Sequence, residues 1–163
     1  IYPNDYKYSN IRAYLNGIEN QFITDGGSPI TAYDKDWTEN GFLPTAFTSS
    51  AQNVILVTKV DYKVGYDRKT IYDKIFILEF SDNNKLSKPG TDFAIANYLK
   101  LAKNYGGWIT RTQYSPTDNG KVVYIGINPA GEPYESNCYA NKSTSNGAGI
   151  LPALCVNESD LTQ

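Results

Sequence analysis

Tyr8, Ile11, Leu15, Ile18 and Phe22 recur at spacings of three and four along "YSNIRAYLNGIENQFITDGG". That period sets them on one stripe and predicts an N-terminal amphipathic helix of about four turns over residues 8–24. Ser9 is its expected N-cap and Gly26-Gly27 its end, with Gly17 an unfavourable residue inside it. From Ser28 to Gln52 turn formers dominate and no period is sustained, so a long ordered loop is expected. "NVILVTKVDY" and "KTIYDKIFILEF" then flank "KVGYDR". Both are rich in β-branched and aromatic residues, and Gly65 and Asp67 between them are turn formers, so they predict an antiparallel hairpin. Ile75 to Leu78 is apolar on both faces, which predicts a central strand with one face under a helix.

Further along, "TDFAIANYLKLAKNYGG" sets Ile95, Tyr98, Leu99 and Ala102 on one stripe and predicts a second helix over 92–105. Thr91 or Asp92 would cap its start, and Gly106 suits its end. "GWITRTQY", the turn "SPTDNG" and "KVVYIGI" predict a second hairpin. "NPAGEP" halts regular structure, and an irregular C-terminal region follows. The expected fold is therefore α+β: an antiparallel four-stranded sheet of two hairpins spanning 53–127, with helix 92–105 inserted. The two helices cover one sheet face. No internal repeat or linker divides residues 1–163, so one domain is expected.

Composition narrows the function classes. Apolar residues make up 40% and charged residues 20% of 163, which fits a globular chain better than a disordered or membrane one. No run approaches the roughly 20 apolar residues of a bilayer span, so no membrane contact is expected of these residues. Fifteen basic residues against 17 acidic ones, with no basic run, make nucleic acid an unexpected partner. The absence of histidine excludes Ser-His-Asp and Cys-His catalysis and histidine-ligated zinc. Methionine is also absent, so Ile1 is expected to follow a cleavage or an engineered boundary. Fourteen tyrosines, each an apolar ring with a polar tip, point towards contact surfaces.

Candidate chemistry is sparse. Cys138 and Cys155 bound "CYANKSTSNGAGILPALC" and are the two cysteines of the chain. Two cysteines without histidine do not complete a zinc site unless carboxylates join, and CxxC spacing is absent. A disulfide-closed C-terminal loop is expected, stabilising by roughly 3 kcal/mol on chain entropy. Such a bond implies an extracellular, cell-surface or periplasmic location. Asn141 and Asn157 begin N-glycosylation triplets.

Asp34, Asp36, Thr38 and Asn40 alternate around Trp37 like the early ligands of a calcium loop, but Glu39 stands where an EF-hand needs glycine. A solvated acidic turn competes with a looser Ca2+ site built on Asp34, Asp36 and Asn40; no other cofactor is expected. Asp61, Asp73 and Glu79 are candidates for a histidine-free carboxylate hydrolase. Alternating charge on a half-exposed sheet accounts for them more simply, and no enzyme is expected. Trp37 and Trp108, with Tyr62, Tyr66, Tyr72, Tyr114 and Tyr124, could make a carbohydrate-stacking platform. Aromatic residues in strands are more often cross-strand packing pairs. Trp37, Trp108, Tyr66 and Tyr114 are the contact candidates.

An N-terminal amphipathic helix, a sheet of hairpins and a C-terminal segment bounded by two cysteines resembles the globular domain of type IV pilins and type II secretion pseudopilins. The likeness lies in layout across most of the chain. It implies a non-enzymatic filament subunit serving assembly, adhesion or secretion, whose partners are other subunits or a surface ligand. Residues 8–24 would then be the packed half of a helical stem. The family's hydrophobic N-terminal stem has no counterpart in these residues. The alternative is a secreted or periplasmic binding module, an inhibitor or glycan-binding domain, using exposed tyrosine and tryptophan.

Overall fold

The computed structural model describes residues 5–20, 24–25, 28–29, 35–83, 107–117, 121–127, 133–139 and 150–161. The expected helix at 92–105 lies outside them. A short 3-10 turn at Tyr6–Tyr8 leads into the first helix, α1, at Asn10–Asn16. Ser9 caps α1 as expected, its hydroxyl accepting the Arg12 N–H at 3.2 Å. The helix is seven residues long and does not reach residue 24. Gly17 ends it, in a left-handed conformation with φ 61°, so the glycine that looked like a flaw inside a helix is its C-terminal cap. A Cβ at Gly17 would stand 2.6 Å from Pro44 Cδ. Gly17→Ala therefore combines backbone strain with a clash against a stiff ring. We expect a loss of about 2–3 kcal/mol, checked by urea unfolding, with no change in denaturant slope.

The segment expected as a long loop contains two helices. Two-residue strands come first: β1 (Glu19–Asn20) pairs with β4 (Lys35–Asp36), and β2 (Thr24–Asp25) with β3 (Ser28–Pro29). Helices α2 (Phe42–Ala46) and α3 (Ser49–Val54) follow. At five and six residues they are too short to declare a helical period. Thr48 caps α3, accepting the Ala51 N–H at 3.3 Å.

The first hairpin forms, from β5 (Thr58–Val64) and β6 (Asp67–Asp73), but it starts later than the expected residue 53, because Asn53 and Val54 close α3. Beyond Lys74 the chain starts a separate strand, β7 (Ile75–Ile77). Asn16 on α1 takes over the backbone there: its Oδ1 accepts the N–H groups of Lys74 and Ile75, both at 3.1 Å, and its Nδ2 donates to Ile75 O at 2.7 Å. Strand β7 is buried throughout and packs beneath α1, as its apolar run implied, but it is not the central strand expected. Among the described residues it has a single partner strand, so its burial comes from the helix and core side chains. A short helix α4 (Phe80–Asn83) follows it.

The second hairpin also forms, from β8 (Gly107–Gln113) and β9 (Lys121–Ile127). Two further strands occupy the region expected to be irregular. Strand β10 (Pro133–Tyr139) extends the second hairpin, and β11 (Pro152–Leu154) pairs with β7.

The four-stranded sheet of two hairpins is not what the chain builds. Among the described residues the hairpins stay in separate sheets, β5–β6 and β8–β9–β10. A side chain fills the joint between them. Arg111 on β8 donates Nε to Asp61 O at 3.0 Å on β5 and Nη1 to Ile77 O at 2.5 Å on β7, while its own N–H reaches Leu78 O at 3.2 Å. A buried guanidinium thus satisfies carbonyls that a backbone ladder would otherwise pair.

The core lies on the inner face of β5–β6 and on β7, where Val60, Tyr62, Val64, Ile71, Ile75 and Ile77 meet Leu15 and Tyr6. At the polar edge of α1, Arg12 grips the buried Asp73 carboxylate with Nε at 2.8 and 3.1 Å and Nη2 at 2.7 Å.

The expected disulfide is also corrected. Cys155 is a free cysteine, half-buried against the core just beyond β11. Cys138 stands on β10 and pairs in register with Val122 of β9, in a sheet that does not include β11. Short sequence separation suggested a closed loop, but strand pairing sends the two positions to different sheets. The compartment argued from that bond loses this support.

Candidate functional site

Strict alternation in β5 sends Val60, Tyr62 and Val64 inward and Lys59, Asp61 and Lys63 outward. The two-residue turn Gly65-Tyr66 fixes what lies opposite. Gly65 takes φ 60°, a backbone that favours glycine, and the strands close with Val64 opposite Asp67. This register sets Lys59 against Tyr72, Asp61 against Thr70 and Lys63 against Arg68, all on the outward face.

Two exposed tyrosines stand on this hairpin, Tyr66 in its turn and Tyr72 towards its open end. Tyr66 at the turn is 83% exposed and Tyr72 is 66% exposed, far beyond what packing pairs require. The turn is anchored from outside the hairpin, since the Gly65 N–H donates to Gln113 Oε1 at 2.7 Å. Gln113 immediately precedes Tyr114, which is 45% exposed and has the Lys121 ammonium 6.0 Å from its ring centre. The anchor therefore joins the backbone that carries Tyr66 to the backbone that carries Tyr114.

The charges of this face meet at Asp61. Its carboxylate accepts the Thr70 hydroxyl at 2.6 Å, with Lys59 Nζ at 3.6 Å and Arg68 Nη1 at 3.9 Å. The Thr70 hydrogen bond, helped by the two cations, holds the Asp61 carboxyl below its ordinary range. Among the described residues no carboxylate pairs with Lys63.

The remaining candidates fall elsewhere. Trp37 is half-buried and packs edge-on against Tyr14, ring centres 5.1 Å apart. Trp108 is half-buried on β8 opposite Ile125. Trp37 serves packing, while Tyr66 and Tyr114 are exposed at neighbouring ends. Tyr62 is core, 1% exposed, edge-on to Tyr6 with ring centres 6.2 Å apart. Its hydroxyl makes no hydrogen bond of good geometry among the described residues, and burial, reinforced by the nearby Asp5 carboxylate, pushes its pKa up. The side chain of Tyr124 lies outside the described residues.

Asp34 is likewise outside them. Asp36 accepts the Thr38 N–H at 2.9 Å, which holds its carboxyl low, and Asn40 is exposed beside it. Among the described residues no group of three or more cysteine, aspartate or glutamate side chains could hold a metal ion. Asp61 and Asp73 sit on opposite faces of the hairpin, one half-buried on the outer face and one buried against Arg12, so they do not converge as an acid and base pair would. Glu79, beyond β7, is half-buried.

The sequence reading missed Lys59, Lys63 and Arg68. Alternation in "TKVDYKV" already puts Lys59, Asp61 and Lys63 on one face. Bringing Arg68 and Tyr72 there requires the turn to fall on Gly65-Tyr66, and the sequence offered that signal in Gly65.

A family model described as a domain of unknown function (DUF6273) matches residues 1–158. No curated protein and no solved structure matches the chain.

Proposed function

We propose that this chain, which belongs to the DUF6273 family, is a non-catalytic binding module that holds glycans on the exposed tyrosines of the β5–β6 hairpin. The observation that carries the reading is the 2.7 Å bond from the Gly65 N–H to Gln113, which fixes the turn bearing the almost fully exposed Tyr66. An exposed ring on an anchored turn gives up little conformational freedom on binding, so the apolar face of a sugar stacked on it keeps most of its contact energy. Tyr72 on the same hairpin supplies a second ring.

The filament reading called for a helix over residues 8–24 packed on the sheet, and α1 spans Asn10–Asn16. Hairpin tyrosines thus carry the contact role with less assumed. A glycan-facing role goes with an extracellular or periplasmic location, now without appeal to a disulfide.

The test is retention of the 163-residue chain on a printed panel of neutral and acidic glycans. Tyr66→Ala with Tyr72→Ala should lower affinity for any bound member by at least about tenfold, roughly 1.4 kcal/mol from two exposed rings. Both rings lie outside the core, so the circular dichroism spectrum should not change. A panel with no bound member, or a double variant that binds as tightly as the parent, sinks the proposal.

A further inference from the structure

Lys63 and Arg68 stand directly opposite each other on the exposed face of the hairpin. Like charges in that position destabilise a strand pair. Lys59 lies on the same face and Asp61 is its one carboxylate, so the face carries three cations against one anion on a chain whose net charge is −2. Asp67, next to the turn, pairs with Val64 and belongs to the other face. Asp61 is already shared by Thr70, Lys59 and Arg68, which leaves the Lys63 end of the face positive. Tyr66 sits at that end, beside the opposed pair.

Taking the glycan reading above as its basis, we infer that the ligand of this face is an anionic glycan, bearing carboxylate or sulfate groups at intervals along the polymer. Tyrosine rings take the apolar faces of the sugars, while Lys63 and Arg68 take one acidic group between them. A guanidinium beside an ammonium suits a two-oxygen anion, since arginine offers a planar fork of donors. Spacing favours a glycan over a nucleic acid. Lys59 and Lys63 are four residues apart on one strand, about 13 Å at the usual rise, with Asp61 midway. A polymer charged on every second or third unit can meet both cations and pass Asp61 with a neutral sugar. A nucleic acid strand, charged at every unit, would press a phosphate towards Asp61.

The same glycan panel decides this, read at 50 and 300 mM NaCl alongside single-stranded oligothymidylate. Bound members should be confined to those bearing uronate or sulfate, with affinity falling several-fold between the two salt concentrations as surface charge is screened. Lys63→Gln with Arg68→Gln should lower that affinity by about tenfold, as expected for two exposed charge contacts. Neutral glycans bound without salt dependence and unaffected by the charge variant would overturn the inference and leave the tyrosine site standing. Oligothymidylate bound as tightly as the best glycan would overturn it too. Absence of any bound glycan would overturn the glycan reading on which the inference depends.

Discussion

Arg12→Ala lowers the free energy of unfolding by about 3–5 kcal/mol, the largest effect expected of any single substitution in the described residues. Asp73 is the reason. Its side chain is only 2% exposed, and three of the four short contacts of the Arg12 guanidinium end on its two oxygens. Removing the cation leaves a buried anion with no comparable partner among the described residues. The fourth contact, Nη1 to Lys7 O at 3.1 Å, ties the turn at Tyr6–Tyr8 into the same arrangement. Urea unfolding monitored by tyrosine and tryptophan fluorescence measures the loss. Arg12→Met combined with Asp73→Leu should recover a large part of it, because a buried ion pair often contributes little over well-packed apolar residues while half of one is costly. A loss below about 1 kcal/mol for Arg12→Ala would mean that Asp73 is effectively solvated.

Arg111→Met should cost about 3 kcal/mol and loosen one particular joint. The methionine fills similar volume but donates nothing to Asp61 O or Ile77 O, which Arg111 holds at 3.0 and 2.5 Å. Those carbonyls belong to β5 and β7, so their loss separates the β8–β9–β10 sheet from the rest of the core. Hydrogen exchange distinguishes this from general destabilisation. Amides of β8, including the Arg111 N–H bonded to Leu78 O, should exchange faster at denaturant concentrations too low for global unfolding. Uniform acceleration across α1, β5 and β8 would contradict a local joint.

Legibility in the sequence tracked the range over which each element is stabilised. The hairpins at β5–β6 and β8–β9 were readable because alternation and turn residues are local signals. Ser9 as a helix cap was readable for the same reason. The length of the first helix was not: Ile18 and Phe22 continue the period of Ile11 and Leu15, yet Gly17 leaves the helix where Pro44 presses against it. Periodicity reports which residues want to be buried, while the end of a helix depends on what the next segment packs against. Strands β10 and β11 were missed because each is completed by a partner that the sequence does not announce.

The candidate site divides in the same way. Its outward alternation in β5 was present in the sequence, whereas the exposure of Tyr66 and the burial of Tyr62 and Trp37 followed from packing. By itself the sequence determined that this chain has no histidine chemistry, that it contains two antiparallel hairpins, and that one of them has a polar outer face. These properties follow from residue types and from the two-residue repeat of a strand. Only the tertiary structure decided that the hairpins remain in separate sheets joined by Arg111, that Cys155 stays free, and that lysine, arginine and tyrosine gather on one face. Those outcomes depend on register and on contacts between distant residues, and such contacts are energies of the folded chain that no local pattern encodes.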